Sequence, residues 1–427
     1  MMVDPPGGIS RLRIILAGLI GNVVEWYDFA VYGYFATVLG RLYFPSSDPA
    51  LSVVAAFGAF AAGFLMRPIG GLLFGRIGDR IGRRPALRYS VLAMALPTVL
   101  IACLPTHQQI GIAAPIAIVL LRMIQGLSVG GEYTSSMVYL VEQAPPGRRA
   151  FLATWGVWGA VLGVLLGSAI GALLTGHLSG GQVDRWGWRV AFLLGGIVAF
   201  AGLIIRRRDR TDTQAGGLPS QRPIQGAFGR HRWAVVRIFL LNIGNGTAFY
   251  SAFVYAVTYM QEVDHLPESL ALNLNSRMLV VFLLLLPLSA CLSDRLGRKP
   301  LMLAGASMLV FGAIPFYALL QNPDPRSLWL GELGFVMATV LLTGGICPAN
   351  VEVMPQEVRC TGLSLGYNMA IALFGGTTPL ISAWAVAVSG NPGAPATWVV
   401  ATALVTLLTA LVWVKESRHG DSVRCVP

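Results

Sequence analysis

Long apolar stretches, each enough to cross a bilayer, follow one another along the chain with short basic loops between them. A spanning helix needs about 20 mostly apolar residues. Twelve stretches meet that length: 13–40, 51–75, 86–104, 112–140, 150–176, 188–206, 233–260, 274–293, 299–320, 327–353, 360–388 and 394–415. Several contain Pro or many Gly, which a helix bundle tolerates where neighbours satisfy the freed backbone. The apolar runs are continuous, not alternating, and this excludes a membrane β-barrel. The expected fold is an all-α membrane protein with twelve transmembrane helices.

Composition agrees. Only 12% of the 427 residues are charged and 55% are hydrophobic, whereas a soluble domain carries about 25% charged residues. Mean hydropathy is +0.66. A cytosolic enzyme and a disordered chain are both excluded. The net charge of +11 does not indicate nucleic acid, because the arginines cluster in alternate loops. Basic clusters at Arg76 to Arg88, Arg148–Arg149, Arg206 to Arg237, Arg295 to Lys299, Arg359, and Lys415 with Arg418 read as cytoplasmic. The opposite loops hold only Arg41, Arg185, Arg189 and Arg326. The positive-inside rule then puts both termini in the cytoplasm.

Other chemistries find no support. Cys103, Cys291, Cys347, Cys360 and Cys425 show no C-x-x-C spacing, so neither a disulfide framework nor a zinc cage is expected. They read as small buried hydrophobes. No phosphate-binding G-x-x-x-x-G-K-[ST] loop and no H-E-x-x-H occurs. No metal, cofactor or enzymatic activity is expected. The stretch ahead of the first span does not read as a cleavable signal peptide.

The two halves repeat. Gly78-Asp79-Arg80-Ile81-Gly82-Arg83-Arg84-Pro85 recurs as Ser293-Asp294-Arg295-Leu296-Gly297-Arg298-Lys299-Pro300. Val141-Glu142, Pro145, Arg149 and Gly156 recur as Val351-Glu352, Pro355, Arg359 and Gly366. A polar, Gly/Pro-bearing segment lies between the halves. The expected organisation is a six-helix bundle over 1–206, a cytoplasmic linker over 207–232 and a second six-helix bundle over 233–427. Parallel six-helix repeats describe one large transporter architecture.

Four stretches carry a resemblance: GNVVEWYDFAVYGYFATVLGRLYFP (21–45), FGAFAAGFLMRPIGGLLFGRIGDRIGRR (57–84), LRMIQGLSVGGEYTSSMVYLVEQAPPGRRAF (121–151) and DRWGWRVAF (184–192). On these the chain resembles the major facilitator superfamily, and within it the bacterial metabolite:proton symporters. That group includes proline/betaine, α-ketoglutarate, citrate and shikimate transporters. The resemblance implies a monomer in the bacterial cytoplasmic membrane that takes up a small molecule with protons. The second loop motif starts at Ala290 where the family pattern has Gly, so looser or differently spaced helix packing is expected there.

Charges inside the bilayer are expensive and mark function. Asp28 and Arg122 form the leading proton-coupling pair, with Glu25, one turn from Asp28, and Glu132 as further proton carriers. A carboxylate beside Arg keeps its charge, and the same group alone in an apolar cavity takes up a proton. Arg122 also opens R-x-x-x-G-x-x-x-G with Gly126 and Gly130, which resembles the superfamily's helix 4 motif; its glycines would allow close helix approach. Arg67 is a candidate counter-charge for a substrate carboxylate. Tyr27, Tyr32, Gln125, Tyr133, Asn242, Asn245 and Tyr250 complete the candidate substrate set. Trp26 and Tyr34 belong to the same aromatic cluster on the first helix, and Tyr255 to the polar set on the seventh.

Gating is assigned to Gly75, Asp79, Arg80, Gly82 and Arg83 in the first half, and to Asp294, Arg295, Gly297 and Arg298 in the second. An Asp there can accept bonds from a helix N-terminus or an Arg across the seam between the halves. The sequence thus points to a proton-coupled importer of an organic acid such as a di- or tricarboxylate. A proline/betaine-type osmolyte symporter is the alternative. A non-transporting membrane sensor is the rival, to be told apart by an appended soluble domain, which the sequence does not show.

Overall fold

The computed structural model describes residues 11–81, 83–130, 132–145, 147–208, 229, 231–322 and 324–414. Among them the chain is helical, with no strand. Twelve helical spans are numbered α1 to α12. α1 is Arg11–Tyr34, continued as Ala36–Tyr43 after a break at Phe35. α2 is Pro49–Leu65 and Arg67–Ile81, α3 is Arg83–Cys103, and α4 is Ala113–Val129 and Glu132–Glu142. α5 is Arg149–His177 and α6 is Trp188–Arg208. α7 runs over Arg232–Tyr250, a π-helical turn Ser251–Tyr255, and Ala256–Glu262. α8 is Glu268–Leu296, α9 is Arg298–Leu320 and α10 is Pro325–Glu352. α11 runs over Arg359–Ala370, a π-helical turn Ile371–Gly375, and Thr378–Ser389; α12 is Ala394–Trp413. Most of the expected linker, 209–228 and 230, lies outside the described residues.

Local sequence explains the breaks that matter. Pro68 has no N–H to donate and disfavours helical backbone ahead of it, so α2 is interrupted at Met66 and restarts at Arg67. The interruption sets the Arg67 side chain inside the bundle, where it is buried. α8 starts six residues before the expected position, at Glu268. In this added stretch Asn273 is exposed and donates to the Ser269 carbonyl at 2.7 Å, while Asn275, just inside the expected span, faces the protein. Asn275 donates to Tyr34 Oη at 2.9 Å and to Ser168 Oγ at 3.0 Å.

Large apolar side chains such as Ile112, Leu284, Phe311 and Val412 point outward. That is the surface a lipid-facing helix presents, since lipid tails are as apolar as Leu. Helix association in lipid rests on close van der Waals packing. The glycines of α2 and α4 supply it: a methyl group at Gly126 would strike the Gly63 carbonyl, and one at Gly130 the Arg67 carbonyl. The close approach expected of the helix 4 glycines is therefore present.

One expectation is corrected, and of the two alternatives offered for the second loop motif one is set aside. Of the four cysteines among the described residues, only Cys347 is buried; Cys103, Cys291 and Cys360 are exposed. A thiol is apolar enough to face lipid, so a membrane helix has no need to bury it. At the second loop motif the packing is not looser. Ala290 is fully buried, and contact with α10 is made one residue earlier, where Ser289 donates to the Val340 carbonyl at 3.0 Å and abuts Gly344.

The two halves meet along α5 against α8 and α2 against α11. α1, from the first half, also touches α7 at the π-helical turn.

Candidate functional site: two buried ion pairs at the seam

The side of α1 that faces α2 and α4 carries Glu25 and Asp28. Glu25 lies 3.9 Å from Arg67 of α2, and Asp28 lies 3.9 Å from Arg122 of α4. All four are buried, Arg122 completely. A charge removed from water is tolerated only with a partner and further hydrogen bonds. For Asp28 those come through Gln125. The guanidinium of Arg122 donates to the Gln125 carbonyl oxygen at 2.8 Å. The Gln125 amide donates in turn to Asp28 and to Thr98 Oγ1 of α3. Gln125 is three residues after Arg122 and so lies on the same face of α4.

Aromatic rings complete the enclosure. Arg122 lies 4.5 Å from the Phe29 ring centroid and 4.4 Å from that of Tyr32. Arg67 lies 5.6 Å from the Trp26 ring and 5.3 Å from Phe64. A desolvated cation over an aromatic face gains about 2 kcal/mol, which offsets part of the desolvation. Tyr250 of α7 brings the second half to this place, packing against Trp26, Phe60 and Phe64. Tyr133 of α4 stacks on Tyr367 of α11 at 5.0 Å and lies 5.7 Å from Trp26.

Polar atoms without hydrogen-bond partners gather here. They are Nε and Nη2 of both Arg67 and Arg122, Oδ1 of Asp28, Tyr250 Oη and Trp26 Nε1. An unmet buried polar group costs about 1–3 kcal/mol, so each of these atoms calls for a partner such as an ordered water, an ion or a ligand. Most of these atoms are donors, on two arginines, an indole and a phenol, and one, Asp28 Oδ1, is an acceptor.

Other candidates point elsewhere. Tyr27 turns to α6, where its hydroxyl donates to the Ala191 carbonyl at 2.8 Å. Asn242 is locked in reciprocal amide bonds with Asn350 of α10, and Asn245 accepts from Thr343 at 2.9 Å. These two hold α7 to α10. Tyr32 donates to the Ala56 carbonyl at 3.2 Å while its ring supports Arg122. The side chain of Glu132, like those of Gly75, Asp79, Arg80 and Arg83, lies outside the described residues, as does Gly82.

Among the described residues, hydrogen bonds and ion pairs cross the seam at both ends. On the side of the loop motifs, the Asp294 carboxylate accepts from the backbone N–H groups of Ala150 and Phe151 at 3.0 Å each. These are the first amides of α5, where the helix dipole favours an anion. Arg298 pairs with Asp294 at 2.9 Å and with Glu352 at 3.0 Å. Between them Gly297 has φ of 105°, which L side chains rarely adopt. Arg359 pairs with Glu142 at 2.8 Å, and Ser364 donates to the Gly130 carbonyl at 2.9 Å. On the far side, Thr37 donates to Gln261 at 3.2 Å, and Asn275 ties Tyr34 to Ser168. Arg295 is placed at the end of α8.

Sequence reasoning missed Thr98, Tyr367 and Glu332. Thr98 and Tyr367 carry no signal of their own, since isolated polar residues are common in helix interiors. Glu332 does: it is an acid within an apolar run, the criterion that singled out Asp28.

The Major Facilitator Superfamily profile matches residues 19–376. The chain is 32% identical over 429 residues to a glycine betaine/proline/ectoine/pipecolic acid transporter of Dickeya dadantii, covering 96% of this chain and 84% of that one. It is 32% identical to a citrate-proton symporter of Klebsiella pneumoniae, covering 97% and 94%. It is 34% identical to an α-ketoglutarate permease of Escherichia coli, covering 87% of each. Among solved structures, the xylose transporter of E. coli in a partially occluded inward open conformation superposes with a TM-score of 0.74 at 20% identity, over 95% of this chain and 98% of that one. With twelve helices in two pseudo-repeated halves around buried charges, the chain belongs to the Major Facilitator Superfamily of membrane transporters.

Proposed function

We propose that the protein is a proton-coupled symporter that imports a small organic acid by alternating access, with both termini in the cytoplasm and the loop motifs forming the cytoplasmic gate. The observation that carries this reading is the pairing of two buried arginines with two carboxylates at the seam. Arg67, whose Nε and Nη2 lack hydrogen-bond partners, offers its donors to a substrate carboxylate. Asp28, held to Arg122 through Gln125, carries the proton. When rocking separates Asp28 from its partners, the carboxylate loses the interactions that favour its charge and takes up a proton; when they re-form, the proton leaves. One charge moved through 100 mV supplies about 2.3 kcal/mol, enough for about a fifty-fold gradient of substrate.

A zwitterionic osmolyte such as proline or betaine is the second reading. It is supported by the rings of Trp26, Phe64 and Tyr250 around Arg67, because aromatic faces also bind quaternary ammonium.

The test uses purified protein in liposomes with a pH-sensitive dye inside. α-Ketoglutarate, citrate, shikimate, proline and glycine betaine are added in turn. Acidification of the lumen with one of the acids supports the first reading, and with proline or betaine the second. Silence across the panel, with a known symporter responding in parallel, overturns both.

A further inference from the structure

Glu332 lies two turns inside α10, counted from its far-side end at Pro325, and is completely buried. Neither carboxyl oxygen has a hydrogen-bond partner, and no Arg, Lys or His among the described residues pairs with it. The titratable groups near it are the phenols of Tyr34 on α1 and Tyr317 on α9. The other helices packed against α10, namely α4, α5, α7, α8 and α11, set no charged group beside it among the described residues; Glu142 of α4 and Arg359 of α11 pair with each other instead. An ionised carboxylate without a counter-charge or donors is not tolerated in such a place, whereas the neutral acid is. The closed arrangement therefore holds Glu332 with its proton.

Its location gives that proton a consequence. Tyr34 is the residue that Asn275 of α8 binds across the seam, and Asn275 also binds Ser168 of α5. These contacts close the far side beside the carboxyl group, since Tyr34 is one of the phenols near it. The Asp28–Arg122 pair uses none of them.

We propose that Glu332 is a second proton-binding site, loaded from the far side of the membrane, whose protonation permits the closure made by Tyr34, Asn275 and Ser168. The step is one of simple balance: the carboxylate and one proton from the far-side solution give the neutral acid as the gate shuts. When the gate opens, water reaches the site and the acid releases that proton to the same side. This site governs the gate and does not add to the proton carried by Asp28. The inference rests on alternating access as proposed above, but not on the identity of the substrate.

The test is a distance measurement without substrate, on the full chain in lipid nanodiscs. Spin labels are placed at Ser47 and His265, both exposed on the far side, after the native cysteines are replaced. Distances are recorded from about pH 5 to about pH 9. For the parent protein the far side is closed at acid pH, and the open-to-closed ratio rises about tenfold per pH unit above the midpoint, as linkage to one proton requires. Glu332→Gln, which mimics the neutral acid, stays closed throughout. Glu332→Asp keeps a pH response with a displaced midpoint and shows that a carboxyl at this position suffices. Opening of Glu332→Gln with the parent's pH dependence overturns the proposal, as does a parent that does not respond to pH. Loss of the response in Asp28→Asn but not in Glu332→Gln also overturns it. A failed substrate panel leaves this measurement unaffected, so the two readings fail separately.

Discussion

Glu25 and Asp28 lie one helical turn apart on α1, yet each faces a different arginine, Arg67 on α2 and Arg122 on α4. The two pairs are equally close but differently enclosed. Asp28 and Arg122 are joined through the Gln125 amide, which is itself fixed to Thr98. Arg67 lies next to Tyr250 and the second half, and its Nε and Nη2 lack hydrogen-bond partners. The Asp28–Arg122 pair is thus bridged within the first half, although Nε and Nη2 of Arg122 also lack hydrogen-bond partners. The other lies beside Trp26 and Phe64, against which Tyr250 of the second half packs. This division motivates separate tests.

Replacing Asp28 by Asn removes the titratable group and keeps the shape. Asp28→Asn is expected to abolish accumulation of substrate against a gradient, while exchange of labelled for unlabelled substrate continues. Proteoliposome uptake with and without an imposed pH gradient measures both. Accumulation at the parent level would remove Asp28 from the proton path.

Arg67→Lys keeps the charge but loses the planar fork that binds a carboxylate through two parallel bonds. The KM for a carboxylate substrate should rise by about tenfold, equivalent to about 1.4 kcal/mol, with kcat changed less. An unchanged KM would return Arg67 to a packing role beside Glu25 and Trp26.

The spans were legible because their signal is simple. Length and apolarity locate a membrane helix whatever its neighbours do, and all twelve were found to within a few residues apart from the start of α8 and the end of α2, which runs to Ile81 rather than 75. The start of α8 was obscured by Glu268, Ser269 and Asn273, which interrupt the apolar run before 274, whereas Asn275 and Ser276, inside the expected span, are polar for the sake of Ser168 on another helix. Sequence cannot show which distant helix satisfies a side chain. The same limit applies at the site. Asp28, Arg122 and Gln125 were legible as charged or polar residues in apolar runs. The assignment of Arg67 to Glu25 depends on the break at Met66 and on the close approach of α2 to α4. Tyr27 and Asn242 have the same polar character as the site residues, and only the fold reveals that they bond to α6 and α10 instead.

The Arg359–Glu142 pair crosses the seam beside the Ser364 contact with Gly130. A partly exposed pair of this kind contributes about 0.2–1 kcal/mol, which is up to about fivefold in the open-to-closed ratio. Arg359→Glu or Glu142→Arg alone should speed maleimide labelling of a Cys placed at Ser364 by about that factor. The double charge swap should bring the rate back. Equal rates in all four proteins would show that the pair does not hold the gate.

Asp264, in the loop between α7 and α8, offers a pH test outside the membrane. Burial raises its carboxyl to about 6, with His265 beside it pulling the other way, and its Oδ2 has no hydrogen-bond partner. An unfolded Asp titrates near about 3.9. The folded state therefore binds this proton more tightly than the unfolded chain does. The resulting contribution to stability is fully present below about pH 4 and is lost as pH rises through about 6. Above that range the charged form is an unrelieved cost. Asp264→Asn is neutral at every pH and avoids it. The variant's Tm should match the parent's near pH 4 and exceed it by a few degrees at pH 7 and above, read by tryptophan fluorescence on heating in detergent. Parallel pH profiles for the two proteins would show that the Asp264 carboxylate is solvated well enough in the folded protein to bear its charge without strain.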